Sequence, residues 1–297
     1  MKTIKGTSLV TLAIVAMAPI SVLNAASSKP TDQSLEIEEI LVVGARLSRP
    51  IQDVVGSVDV IERDQLLQSL SFRMSDLVRY TPGVSVGVAD TRFGESDFTI
   101  RGLTGNRVLT LVDSIPQPDQ FNVGSFSHAG QNYFSPDAIS RVEILKGPAS
   151  TLFGSDALGG VVAVITREPE ELLLGSNTGS EFSTIYSGAD DSLMLNASLA
   201  AKKDRTTAMA LLSRLDGTSI YHSNTDPGDL QERTRNSGLF KVNHTLQSGS
   251  QVKLRADFLD ESVETDIHSL LGYGRQYRKT TQLAGDDKLK KYNLSAL

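Results

Sequence analysis

Gly83-Val84-Ser85-Val86-Gly87 has the spacing of a nucleophile elbow, in which a serine on a strained strand-to-helix turn attacks an acyl carbon. That chemistry needs a strand before the motif and a helix after it. Here Tyr80-Thr81-Pro82 and a helical pattern precede it, and Val88-Ala89-Asp90-Thr91 follows with no helical period, so a hydrolase is not expected. The run Gly154 to Gly160 lacks the Lys-Ser/Thr that a phosphate-binding loop requires. With no cysteine in 297 residues, a thiol nucleophile, a thiolate zinc site and a disulfide scaffold are all excluded. A formal charge of −6, 6% aromatic residues and no tryptophan argue against a nucleic-acid partner. The residues point to binding rather than covalent chemistry, and the chain is not expected to be an enzyme.

The first 25 residues read as a secretory signal peptide. Lys2 and Lys5 are its basic end, Leu9 to Ile20 its apolar run, and Asn24-Ala25-Ala26 its small-residue cleavage site. The apolar run is short of the ~20 residues that a membrane helix needs. Export without cysteine suits the envelope of a Gram-negative bacterium, and any membrane residence must then be as a β-barrel.

Residues 26–45 read as an acidic, non-periodic leader that ends in Glu39-Ile40-Leu41-Val42-Val43-Gly44. This short β-former run is either the first strand of the next domain or an edge strand offered to a partner. Residues 46–168 predict a small α+β domain. Strands are expected at Val54–Ile61, Phe98–Gly102, Val108–Asp113, Ile139–Leu145 and Val161–Thr166. Leu66, Leu70, Met74 and Leu77 fall at helical steps, and Phe121–Gln131 reads as a loop. Residues 169–297 change character. Strands are expected at Glu181–Gly188, Ser192–Ala200, Thr207–Leu215, Ser237–Leu246 and Gln251–Leu259, with alternation plain in Val252–Phe258. Strands of about ten residues with one apolar side suit a transmembrane barrel. A soluble β-sandwich is the alternative for this stretch.

Several segments together resemble the TonB-dependent outer-membrane receptors. Glu39–Gly44 is similar to the family's TonB box, and Asp76–Val84 to its "L-x-x-x-P-G-V" segment. Phe98–Leu103 and Val108–Asp113 resemble the "IRG" and "LVDG" elements, with Ser114 where the family usually has glycine. Ile139–Thr166 follows the plug core "R-V-E-V-x-x-G-P-x-S-x-L-Y-G-x-x-A-x-G-G-V-V" almost position by position. The resemblance covers about residues 39–168 and marks Arg101, Gly102, Arg141, Glu143, Gly147, Pro148, Gly154, Gly159 and Gly160 as plug structural positions.

The resemblance implies an α+β plug followed by an incomplete antiparallel transmembrane β-barrel, 22-stranded in an intact family member. Some six to eight strands fit in residues 169–297, so the chain is expected to be the N-terminal part of a receptor in the outer membrane, in contact with its lipid. Glu39, Ile40, Leu41, Val42 and Val43 would bind TonB. Arg101, Arg141, Glu143 and Lys146 would pair with charges on the barrel wall. Gly147–Ser150 and Gly154–Val162 are most similar to the haem and haemoglobin receptor branch, with haem or a haem-carrying protein as ligand and no intrinsic cofactor. An apical plug histidine binds haem iron in that branch. His128 is the candidate axial ligand, about two residues N-terminal of the branch's position, and Tyr133 an alternative oxygen ligand. The alternatives are a ferric siderophore or cobalamin receptor, or a barrel-less periplasmic plug-type binding module.

Overall fold

The computed structural model describes residues 57–296, apart from 72, 90–93, 120–133, 189, 222–227, 273 and 276. The signal peptide, the leader with its TonB-box segment Glu39–Gly44, and the loop carrying His128 and Tyr133 lie outside the described residues.

A mixed α+β domain comes first. Its elements are β1 (Ser57–Glu62), α1 (Arg63–Gln68), α2 (Met74–Leu77), β2 (Val84–Ala89), β3 (Gly94–Ile100), β4 (Val108–Val112), β5 (Ile115–Pro116), β6 (Ile139–Lys146), α3 (Ser150–Phe153) and β7 (Gly160–Thr166). One sheet runs β1-β6-β7-β4-β5, and β2 and β3 form a separate hairpin. Among the described strands, β4 and β7 alone run parallel. Every residue of β4 is buried, as befits a strand covered on both faces. On one face Leu66, Met74, Leu77 and Phe98 pack over Val142, Ile144, Val162 and Val164. On the other, Ala149 and Ala157 pack with Leu109, Leu111, Leu145 and Val161.

The helical steps are partly right. Leu66, Met74 and Leu77 are buried, but Leu70 is exposed at φ +47° in the turn between two short helices. The backbone there reverses instead of continuing for another turn, and the apolar period spans two helices. The strands at Phe98 and Val108 do not pair with each other: β3 pairs with β2, and β4 with β7 and β5. Ser85 lies on a hairpin strand, in none of the strand-to-helix context that an elbow serine needs.

After β7 the chain forms α4 (Pro169–Leu173), capped by Glu168, whose backbone N–H donates to Glu171 Oε1 at 3.0 Å. Six antiparallel strands follow in sequence order: β8 (Thr178–Ser187), β9 (Ser192–Lys203), β10 (Thr206–Tyr221), β11 (Asp229–Thr245), β12 (Gln251–Ile267) and β13 (Leu283–Ala296). The strands are longer than the apolar alternation predicted, because β10, β11 and β12 continue as polar segments past it. β13 carries Lys288, Lys290 and Lys291 and escapes a search for apolar period.

The long sheet is apolar outward and mixed inward, where polar and charged side chains stand among buried Met209, Leu211, Leu215, Leu239 and Leu259. Phe182, Tyr186, Leu193, Leu195, Leu199 and Leu212 are exposed on its outer face, as are Phe240, Leu254, Tyr292 and Leu294. Asn196, Ser213, Arg235, Lys241, Arg255 and Glu261 are buried on the inner one. Along β9 the outward run Leu193 to Ala201 covers roughly 26 Å at ~3.3 Å per residue, close to the ~25 Å apolar band of an outer-membrane barrel. The outward face also carries the ion pairs Arg214–Asp216 and Lys290–Asp260, in register with Leu193 and Leu195, and the Thr206–His244 bond near the opposite end. Among the described residues no helix is long and apolar enough to cross a membrane.

Candidate functional site

The inward face of the long sheet carries charges that a lone sheet could not tolerate, and the mixed domain supplies their partners. β4 and β5 are joined by the two-residue turn Asp113-Ser114, both at positive φ (+46° and +68°), the backbone of a tight hairpin. Aspartate adopts this conformation readily. Serine does not, and the left-handed conformation costs it roughly 1 kcal/mol. The turn holds the Asp113 carboxylate at the tip of the hairpin. Its Oδ1 accepts from the Thr166 backbone N–H at 2.8 Å, and its Oδ2 from the Thr166 hydroxyl at 2.5 Å. From the sheet, Arg255 Nη1 reaches Oδ2 at 2.9 Å and Lys241 Nζ reaches it at 3.3 Å.

The two cations are themselves fixed. Arg255 Nη2 lies 2.9 Å from Asp257, and Arg255 Nη1 also donates to Val112 O at 3.4 Å. Lys241 Nζ donates to Thr166 O at 3.2 Å and pairs with Glu168 at 2.9 Å. Glu168 further accepts from Asn243 at 2.9 Å, so the cap of α4 is also a link to the wall. Lys241 and Arg255 occupy facing positions of β11 and β12. Like charges side by side are destabilising, and Asp113 and Glu168 remove that penalty. Lys291 of β13 donates to Gln117 at 2.9 Å, extending the contact to β5.

A second cluster joins the opening of the sheet to α1. Arg167, 3% exposed, forks onto Glu181 of β8 with Nη2–Oε2 at 2.7 Å and Nη1–Oε1 at 3.4 Å. Arg63 adds a bond to Glu181 Oε1 at 3.1 Å and donates to the carbonyls of Asp137 and Ile139. Burial and the neighbouring Arg167 charge lower the Arg63 guanidinium from its ordinary value. A third contact, Arg73 to Asp190, clasps the β8–β9 turn. There burial would raise the Asp190 carboxyl, but bonds from Ser187 and Ser192 and the Arg73 charge outweigh it and hold it below the usual aspartate range.

The sequence-predicted plug positions are placed as follows. Arg141 pairs with Glu143 at 2.8 Å, and Lys146 with Asp59, so these bonds run within the mixed domain. Among the described residues, ion pairs to the long sheet run through Arg63, Arg73, Asp113, Arg167 and Glu168. Arg101 and Gly102 make the exposed turn after β3, where Arg101 N–H donates to Gly83 O at 2.9 Å. Gly147 and Gly159 face each other across the loop around α3, the Gly147 N–H donating to Gly159 O at 3.1 Å, and Pro148 follows directly. Gly154 ends α3, and Gly160 begins β7 against the Leu145 carbonyl. Among the described residues no group of three His, Asp or Glu is placed to hold a metal ion.

Residues 50–161 match the TonB-dependent receptor plug domain. The chain is 32% identical over 199 residues to the hemin receptor of Yersinia enterocolitica, an overlap of 66% of this chain and 28% of that protein. It is 35% identical over 155 residues to the iron-regulated outer membrane virulence protein of Vibrio cholerae, 51% of this chain and 23% of that protein. In three dimensions it resembles the FrpB iron transporter of Neisseria meningitidis, with a TM-score of 0.62 at 17% identity over 81% of this chain and 38% of that one. The chain thus spans about a quarter of the length of the curated relatives that it matches.

Proposed function

This chain belongs to the TonB-dependent receptor family, and from that premise we propose that it is the plug and first wall strands of an outer-membrane receptor for an iron compound, haem or haem carried by a protein. The observation that carries the reading is the six-stranded sheet. Its outward face is lipid-like, and its inward charges are met by Asp113, Glu168, Arg167 and Arg63 of the plug and its α4 linker. A barrel-less periplasmic module would leave Phe182, Leu195, Leu199 and Leu212 in water, a contiguous apolar surface of the kind that soluble proteins avoid.

In this reading the ligand docks on the plug apex, with the His128 imidazole as axial ligand to haem iron and Tyr133 as the alternative. Occupancy frees the periplasmic leader. Glu39, Ile40, Leu41, Val42 and Val43 then pair as a strand with TonB, which pulls and rearranges the plug. No covalent step is involved. The similarity to a hemin receptor over 66% of this chain is in keeping with a haem cargo, and that to a lactoferrin-binding protein over 71% with an iron-carrying protein.

The test is a haem titration of the full-length receptor followed at the Soret band. A shifted band that His128→Ala weakens supports the haem reading. A ferric siderophore that binds tightly while haem leaves the Soret band unmoved would assign the receptor to siderophores instead.

A further inference from the structure

Plug and wall enclose a cavity of about 210 Å3 beside the Asp113 hairpin, bordered by Ser114, Arg141, Asn243, Lys253 and Arg255 among others. Its charged lining is four cations, Arg141, Lys241, Lys253 and Arg255, against two carboxylates, Asp113 and Glu168. Two of the lining side chains keep a buried polar atom without a hydrogen-bond partner among the described residues: Arg255 Nε and Asn243 Oδ1. Both side chains are more than nine-tenths buried, at 7% and 9% exposure. Buried groups are normally satisfied, and one left open calls for a partner. Arg255 has committed its terminal nitrogens to Asp113 and Asp257, which holds its guanidinium at the cavity wall.

We propose that this cavity is a transit site for a carboxylate arm of the cargo. Lys241 and Arg255 sit on β11 and β12, which are paired along nearly their whole length, so the cations stay in place when the plug moves. Asp113 sits on a two-residue hairpin of the plug, so its carboxylate leaves the two cations if the plug moves. When the hairpin withdraws, the two cations exchange the plug's carboxylate for the cargo's. Ammonium and guanidinium groups hold carboxylates through strong charge-assisted bonds. The cavity is smaller than the ~300–1,000 Å3 of sites that enclose whole small molecules, so it has room for a charged arm and not for an entire porphyrin or iron chelate. This inference rests on the receptor reading above.

Two measurements on the full-length receptor test it. Crystals carrying Asp113→Asn, soaked in bromide, should show an anomalous peak between Lys241 and Arg255 that wild-type crystals lack; no peak in the variant overturns the site. In cells, Asp113→Asn/Arg255→Gln removes a buried cation together with its counter-charge and leaves no lone buried ion from that pair. Haem uptake in that variant should fall at least tenfold, while surface binding and uptake of haem dimethyl ester, which lacks the carboxylates, stay near wild type. A parallel loss with ferric citrate extends the site to chelate carboxylates; a loss confined to haem assigns it to the propionates. Equal losses for haem and its diester would reduce Lys241 and Arg255 to anchoring the plug, and the proposal would fall. If the wild-type receptor took up no iron compound at all, the receptor reading would fail, while a bromide peak would still stand for the anion site.

Discussion

Arg255 of the wall and Asp113 of the plug meet at 2.9 Å, with the Asp113 carboxylate also tied to both the backbone and the hydroxyl of Thr166. The contact joins the tip of a tight hairpin to the inward face of the fourth and fifth strands of the sheet. Lys241 shares the same oxygen at 3.3 Å. Two cations that stand side by side on the wall therefore share one plug carboxylate, with Glu168 as a second partner for Lys241 and Asp257 as a second partner for Arg255.

Asp113→Ala should loosen the plug by about 1–3 kcal/mol, the cost of leaving buried donors such as the Thr166 N–H open, because Arg255 keeps Asp257 and Lys241 keeps Glu168. Denaturant unfolding of the full-length receptor, followed by protease access to the plug, measures it. Asp113→Asn/Arg255→Gln should recover a large part of the loss, because residues in one ion-pair network are coupled. Additive losses in the double variant would contradict the shared network.

Gly160→Ala should cost far more than Gly154→Ala. A Cβ at Gly160 would lie 2.3 Å from the Leu145 carbonyl oxygen and 2.8 Å from Ile100 Cδ1, in the pairing between β6 and β7. At Gly154 it would meet nothing within 4 Å, and only the backbone at φ +87° is strained, about 1–2 kcal/mol for an L-residue. Expected is a folded, mildly destabilised Gly154→Ala receptor and an unfolded or degraded plug in Gly160→Ala, compared by thermal melting.

Leu212→Arg places a charge on the outward face of β10, between Ala197 of β9 and Gly238 of β11. In lipid this should cost about 2–4 kcal/mol, read by urea titration of the full-length receptor in vesicles. Ser213→Thr, one residue away and facing inward, should change little. Indifference to Leu212→Arg would contradict a lipid-facing sheet.

The Arg73–Asp190 clasp should be acid-sensitive. Its aspartate is held below the ordinary range in the folded chain. The clasp therefore contributes fully above the unfolded value and is lost as pH falls through the lowered one. Wild type should exceed Asp190→Asn in stability at neutral pH, and the two should converge in acid. A gap that persists or widens on acidification would contradict the assignment.

Much of this was legible in the chain before any coordinates. The apolar runs of β4, β6 and β7 mark a covered sheet, and Gly147-Pro148 ends β6 where expected. The wall strands were legible only where they cross the apolar band. β13 carries the charged pairs Asp286-Asp287 and Lys290-Lys291, and the extensions of β10, β11 and β12 are rich in polar residues, so hydropathy has little contrast to report. Leu70 shows how one apolar period can run over two helices. The charge partners were the least legible. Asp113 and Arg255 are far apart in sequence, and nothing local distinguishes them from Arg141 and Glu143, which bond to each other instead.

In the proposed receptor uptake is driven through the leader, and Leu41→Pro in the full-length receptor breaks the strand on which that drive depends. Proline removes a backbone donor that a strand-to-strand pairing needs. Cells carrying the variant should bind labelled haem at the surface as wild type does and accumulate none. Energised accumulation equal to wild type would contradict the account, because the pulling strand would then lie elsewhere or not exist.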